Sequence, residues 1–220
     1  MTLRDCFDSH TGRLIGKIDH FFDDYEVHLQ RFRNTAVRLL EIGVHGGGSL
    51  ELWRRYFGQQ ATIHGVDIDP AAADKAPPDC PVHIGSQADP SFLRSVLMDH
   101  GPFDILIDDG SHLMPDQIAT FDIAYPLLAP GGIYICEDAF TSYWREYGGG
   151  TDRPDTFIAF AKQRVDDLHA FWRLDDAVQP SAFSLSTRSI HFYSGAVVFE
   201  RQTVAAPVYT VRHGEQRNVI

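Results

Sequence analysis

Five short, almost wholly apolar runs, at residues 37–44, 62–66, 82–84, 103–107 and 133–136, are followed by stretches of helical periodicity, most of them across a glycine or proline. Runs that are apolar at nearly every position belong to strands buried on both faces, as happens where helices cover a parallel sheet from both sides. The alternation therefore predicts βαβ units and a doubly wound, Rossmann-like α/β sheet. Helices are expected at 49–57, 90–98, 115–128 and about 156–172. Ahead of the first strand, Leu14, Ile15, Ile18, Phe21, Phe22, Tyr25, Leu29 and Phe32 recur at three- and four-residue steps. Residues 12–33 thus read as one amphipathic helix or two short ones. Near the other end, runs at 189–193 and 196–201 are separated by Ser194 and Gly195, a hairpin signal that adds an antiparallel strand to a mostly parallel sheet. The expected organisation is one domain over 1–220, with a helical cover at 1–35 and a tail at 203–220.

The first strand runs into Glu41-Ile42-Gly43-Val44-His45-Gly46-Gly47-Gly48-Ser49, a glycine-rich turn that opens a helix and lets backbone approach a ligand closely. One strand later, Asp67 ends Gly65-Val66-Asp67, where a carboxylate can take both hydroxyls of a ribose. Turn and carboxylate together indicate a nucleoside cofactor. A dinucleotide fingerprint would place glycine where His45 stands, and no Gly-Lys-Ser or Gly-Lys-Thr is present for a triphosphate. The acidic Glu41 suits a cationic ligand, and S-adenosylmethionine carries a sulfonium and an ammonium. The expected cofactor residues are Glu41, Gly43, Ser49 and Asp67, with Ser86 and Gln87 at the end of the third strand and Asp108 at the end of the fourth. For Ser86 or Asp89, a plain helix N-cap is an equal reading.

The fourth strand ends in Asp108-Asp109-Gly110-Ser111-His112 and the fifth in Glu137-Asp138. Neighbouring strand ends would bring Asp109, Glu137 and Asp138 into one crevice, about 5 Å apart. Three such carboxylates repel one another unless something positive sits among them. A hard divalent cation answers that, and an all-oxygen set with room for water suits Mg2+ or Ca2+ better than zinc, Mg2+ being the favoured reading. His112, three residues past Asp109, carries an imidazole, the side chain most often used as a general base, and is placed to act as one on a hydroxyl held there. Beyond Asp138, the stretch 141–150 offers Tyr143 and Trp144, whose faces suit a sugar, in a loop with a glycine-rich end that reads as a lid or as packing over the next helix.

With 30 acidic against 19 basic side chains and a formal charge of −11, the chain repels nucleic-acid phosphates and anionic membranes, which leaves a small-molecule or oligosaccharide substrate. The first residues are acidic where a signal peptide needs basic ones, and no apolar run approaches about eighteen residues, so a cytoplasmic protein is expected. Cys6, Cys80 and Cys136, odd in number and widely spaced, read as free thiols. A homodimer is the base-rate expectation for an enzyme.

The motifs EIGVHGGGSLELW, GVDIDP, IDDGSH, PGGIYICEDAFTSYW and SIHFYSGAVVFE resemble the metal-dependent sugar O-methyltransferases of macrolide biosynthesis, from about Gly16 to Glu200. The resemblance implies that Asp109, Glu137 and Asp138 bind Mg2+ and that His112 is the base. The glycine loop alone is a weak signal, whereas D-D-G-S-H followed by E-D at the next strand end is a strong one. The TSYW…YGGG loop more narrowly resembles mycobacterial methyltransferases acting on the 1-hydroxyl of 3-O-methylmannosides, in methylmannose polysaccharide biosynthesis. The resemblance covers the methyltransferase part of the macrolide enzymes and not their long N-terminal domain, which helps to form their substrate pocket, so it does not by itself imply a macrolide acceptor. Two other readings are a non-catalytic nucleoside-binding module and an oxygenase of the cephalosporin hydroxylase group, which would need two histidines and a carboxylate brought together by the fold.

Overall fold

The structure is a computed structural model that describes residues 1–173 and 179–210; the expected tail from 211 on lies outside the described residues. Seven strands form one sheet: β1 (Arg38–Ile42), β2 (Thr62–Asp67), β3 (Val82–Ile84), β4 (Ile105–Asp108), β5 (Ile133–Cys136), β6 (Thr187–Phe192) and β7 (Val197–Arg201). Their spatial order is β3-β2-β1-β4-β5-β7-β6. The first five are parallel, and β7 runs antiparallel to both β5 and β6, as the hairpin signal required. The helices are α1 (Leu3–Asp8), α2 (Phe21–Leu29), α3 (Gly48–Phe57), α4 (Ala72–Lys75), α5 (Pro90–His100), α6 (Met114–Ala124) and α7 (Phe157–Leu168).

Alternate residues of each strand feed two separate cores, because side chains on a strand point to opposite faces in turn. Leu39, Ile63, Ile105, Ile107, Ile133 and Ile135 face α1–α3, where Leu3, Phe21, Leu29, Leu50, Trp53 and Phe57 cover them. Leu40, Ile42, Val66, Leu106, Tyr134 and Phe199 face α5–α7, against Leu93, Leu97, Phe121, Phe157 and Phe160. Burial on both sides is why these strands read as continuous apolar runs. Cys6, Cys80 and Cys136 are buried free thiols. No helix among the described residues is long and apolar enough to cross a membrane.

The N-terminal cover departs from expectation. Residues 12–20 are not helical, and the helix there is confined to α2 followed by a 3-10 turn at Gln30–Phe32. Gly12 and Gly16 weaken helix formation, and the backbone is used by the glycine loop instead: Gly48 donates to the Leu14 carbonyl at 3.2 Å and Arg13 donates to Glu51 Oε2 at 2.9 Å. The unforeseen α1 is held by a capping box in which the Thr2 side chain accepts from Asp5 N and the Asp5 carboxylate accepts from Thr2 N. The helices expected at 115–128 and 156–172 end early, each continuing as a 3-10 turn, at Tyr125–Leu127 and Ala170–Trp172.

Candidate active site

Strand register brings the acidic residues together. Ile42 lies beside Asp108, and Asp108 beside Cys136, so the next row across the strand ends is Gly43, Asp109 and Glu137. Asp109 N donates to the Ile42 carbonyl and Glu137 N to that of Asp108, both at 2.9 Å. Glu41 pairs with Ile107, and Ile107 with Ile135. Period-two alternation therefore aims Glu41, Asp109 and Glu137 at one face, toward α2 and α3, and Asp108 at the other.

Glu41, Asp109 and Glu137 meet a cation there. The Lys17 ammonium, on a side chain only 2% exposed, lies 2.6 Å from Asp109 Oδ2, 2.7 Å from Glu137 Oε1 and 3.7 Å from Glu41 Oε1. The Tyr25 hydroxyl also donates to Glu137 Oε1. Burial alone would push the Lys17 ammonium down, but Asp109, Glu137 and Glu41 hold it well above the ordinary lysine value. Burial and the adjacent Asp109 push Glu137 up, opposed by Lys17.

The expected triad of carboxylates is thus divided. Asp138 follows Glu137 on the opposite parity and has left-handed backbone (φ +52°), as does His112 (φ +56°). His112 Nε2 lies 3.6 Å from Asp138 Oδ2 and 4.0 Å from Asp109 Oδ1. Asp109, His112 and Asp138 form one potential metal-ligating group, with one ligand atom from each within 4.8 Å of the others, and Glu41, Asp109 and Glu137 form a second. Asp109 belongs to both. Non-glycine residues in that conformation cost roughly 1–3 kcal/mol each, and such strain gathers at functional sites. The buried His112 Nδ1 has no hydrogen-bond partner among the described residues. Burial, then Asp109, raises Asp138 above the usual aspartate value.

Next to this cluster opens a cavity of about 620 Å³, in the range of small-molecule and cofactor sites. Gly43, Asp67, Ser86, Gln87, Asp109 and His112 line it, with Leu14, Ile15 and Gly16 as an outer wall. Gly43 has φ +93°, and a Cβ there would lie 2.0 Å from the Asp109 carbonyl oxygen, so only glycine fits. Asp67 accepts from Val44 N at 2.9 Å and His45 N at 3.0 Å, tying the glycine loop to the end of β2.

Three expected cofactor residues do not reach the cavity wall. Glu41 is fully buried beneath it, accepting from Ser49 Oγ and from Trp53 Nε1 at 3.1 Å. Ser49 is spent on that bond. Asp108 is buried on the opposite face; burial raises its pKa to about 7 against the donors Tyr134 and Gln87. Gln87 lines the cavity, but its amide is used within the protein: Nε2 donates to Asp108 Oδ1 and Thr120 Oγ1, both at 2.9 Å, and Oε1 accepts from Ser111 N at 2.8 Å. It braces the wall. Asp89 is the cap of α5, accepting from Ser91 N and Phe92 N, which leaves Ser86 on the cavity wall.

Tyr143 and Trp144 are 53% and 49% exposed. Tyr143 opens on a second cavity of about 460 Å³, with Phe140, Ile158, Lys162 and Phe192, while Trp144 packs on Phe140 and Tyr147. The ring near His112 is Tyr147, at 6.1 Å between centroids. The loop is tied down by backbone bonds from Gly149 N to Trp144 O and from Gly150 N to Ser142 O.

Among the described residues, two histidine clusters lie elsewhere. His28, His191 and Glu200 do supply two imidazoles and a carboxylate, yet both His28 nitrogens are engaged, by Glu200 Oε1 at 3.0 Å and the Tyr193 hydroxyl at 2.8 Å. His64, His83 and His100 sit beside Arg38, whose charge opposes a cation.

Residues 40–139 match a family described as "Methyltransferase domain". The 8-demethyl-8-(2-methoxy-alpha-L-rhamnosyl)-tetracenomycin-C 3'-O-methyltransferase of Streptomyces olivaceus is 39% identical over 199 residues, 83% of this chain and 49% of that protein. The mycinamicin VI 2''-O-methyltransferase of Micromonospora griseorubida is 33% identical over 202 residues, covering 84% of this chain and 49% of that enzyme. The MycE methyltransferase in complex with Mg, SAH and mycinamycin VI superposes with a TM-score of 0.78 at 31% identity, over 86% of this chain and 50% of that one. The chain spans about half the length of the curated relatives it matches.

Proposed function

We propose that the chain, whose residues 40–139 match a methyltransferase domain and which is similar to sugar O-methyltransferases over most of its length, transfers a methyl group from S-adenosylmethionine to a sugar hydroxyl with the aid of Mg2+. The observation that supports this reading best is the adjoining of the two halves a methyl transfer needs. A cavity of cofactor size is walled by Gly43 and Asp67, and His112 with the acidic cluster lies at its end.

The residues fit both groups. Asp67 lines the cavity; its Oδ2 accepts from Val44 N and His45 N and its Oδ1 from Asp69 N, which leaves Oδ1 able to accept from one ribose hydroxyl, and Gly43 brings backbone to the cavity wall without a side chain. The oxygen donors of Asp109, Glu137 and Asp138 suit a hard cation, and these three would hold it. When bound, the cofactor supplies an electrophilic methyl and the cation lowers the pKa of the acceptor hydroxyl. His112 Nε2, 3.6 Å from Asp138 Oδ2 and 4.0 Å from Asp109 Oδ1, takes the proton of that hydroxyl. Gln87, bonded to Asp108, Thr120 and Ser111, keeps the β4 loop that carries Asp109 and His112 in place.

For the acceptor, the relatives support a sugar on an antibiotic scaffold, since the names quoted above specify a rhamnosyl tetracenomycin and a mycinamicin. The narrower reading, the 1-hydroxyl of a 3-O-methylmannoside, rests on the loop carrying Tyr143 and Trp144. Calorimetry with SAH and Mg2+ tests the site: binding of both is expected, with Mg2+ binding lost in Asp109→Asn and Asp138→Asn while SAH binding persists. Loss of neither would remove the acidic cluster from the function.

A further inference from the structure

Lys17 lies at the centre of the inner carboxylate group, and nothing in the proposed chemistry requires it. Its ammonium has three donors, and its neighbours are Asp109 Oδ2 at 2.6 Å, Glu137 Oε1 at 2.7 Å and Glu41 Oε1 at 3.7 Å. The side chain is 2% exposed, so solvent screens little of that charge. Asp109 is shared, with Oδ2 turned inward to Lys17 and Oδ1 outward toward His112. One oxygen of Glu137, Oε1, is held inward, accepting from both Lys17 and Tyr25. A cation that takes Glu137 into its shell must therefore draw it from Lys17 or share it across a short distance between two positive charges.

We propose that Lys17 is an internal counter-ion that neutralises Asp109 and Glu137 in the metal-free protein and competes with the divalent cation for them, thereby setting the metal affinity. Lys17 is a positioning residue, distinct from the base and from the ligands. Its place in the chain adds a second consequence. Residues 14–16 wall the cofactor cavity and residue 17 reaches the carboxylates, so one short segment touches both. A rearrangement of Lys17 on metal binding is felt at the cavity wall.

The test compares the wild-type chain with Lys17→Met and Lys17→Gln, by thermal unfolding without metal and by calorimetry with Mg2+ alone. Resting on the metal-dependent reading above, the account expects Mg2+ to bind about tenfold more tightly or better once the opposing charge is gone. Without metal, Lys17→Met should melt below wild type, because Glu137 is left buried without its cation, and the second change Glu137→Gln should restore part of the loss. The stabilisation by added Mg2+ should be larger in Lys17→Met than in wild type. Lys17→Arg keeps the charge and should bind Mg2+ no better than wild type. Equal or weaker Mg2+ binding by both Lys17→Met and Lys17→Gln, with SAH binding intact, would overturn the competition. If Mg2+ binds to no variant while SAH binds to all, the metal-dependent reading itself fails and the competition fails with it. The metal-free melting then still reports whether Lys17 is the counter-ion of Glu137. Should Lys17→Met not fold, Lys17→Gln, which keeps a donor for Glu137, carries the same comparison.

Discussion

His112 Nε2 stands 3.6 Å from Asp138 Oδ2, and both residues hold left-handed backbone, at φ +56° and +52°. His112 lines the cavity, and the Asp138 carboxylate lies beside its imidazole. In the proposed mechanism the imidazole takes the proton of the acceptor hydroxyl. His112→Ala should lower kcat by roughly 10²- to 10⁴-fold, the usual contribution of a general base, with SAH affinity unchanged. A loss of less than tenfold would take the base role from His112.

Asp67 bridges the glycine loop and the cavity through Val44 N and His45 N. Its replacement by alanine removes charge-assisted bonds worth roughly 1.5–3 kcal/mol each. SAH affinity in Asp67→Ala should fall by about tenfold or more in a calorimetric titration. Unchanged affinity would place the nucleoside elsewhere.

Gly43 and Gly131 both have positive φ, +93° and +85°, but a Cβ on Gly43 would meet the Asp109 carbonyl oxygen at 2.0 Å while one on Gly131 meets nothing within 4 Å. Gly131→Ala should therefore cost only the backbone strain, about 1 kcal/mol, and Gly43→Ala distinctly more in denaturant unfolding. Equal costs would mean that the close approach of β1 to the Asp109 loop is relieved without penalty.

Acid should weaken the fold through His64. Burial, then His83 and His100, lowers its pKa from 6.5 to about 4. Between those values the unfolded chain binds the proton and the folded chain does not, so the stability His64 contributes is present above pH 6.5 and is lost as pH falls toward about 4. His64→Gln should flatten this part of the stability curve in denaturant titrations at successive pH values. An identical slope in the variant would assign the acid loss to other groups.

The strands of the sheet were legible because both faces of the central ones are buried, which writes them as apolar runs. The Thr2 to Asp5 spacing also carried the signal of α1, a threonine with an acidic residue three positions on. The N-terminal segment was misread because Leu14 has the spacing of a buried helical position yet is 71% exposed, in a segment whose backbone serves the glycine loop. At the site, the row of Asp109 and Glu137 followed from strand ends alone, but its division did not. Strand parity separates Glu41, Asp109 and Glu137 from Asp108 and explains why Glu41 meets Lys17 beneath the cavity. That Lys17 lies among them depends on the path of residues 12–20, for which no periodicity speaks. Tyr147 and Leu14 to Gly16 were likewise brought to the site by loops.

Transfer of labelled methyl from S-adenosylmethionine to a panel of sugar acceptors, with Mg2+ and then with chelator, tests the central claim most directly. The panel includes rhamnosides, mannose and 3-O-methylmannosides. The account predicts transfer to a sugar hydroxyl that chelator abolishes and Mg2+ restores. Chelator-resistant transfer, or no transfer to any sugar by a protein that still binds SAH, would contradict it.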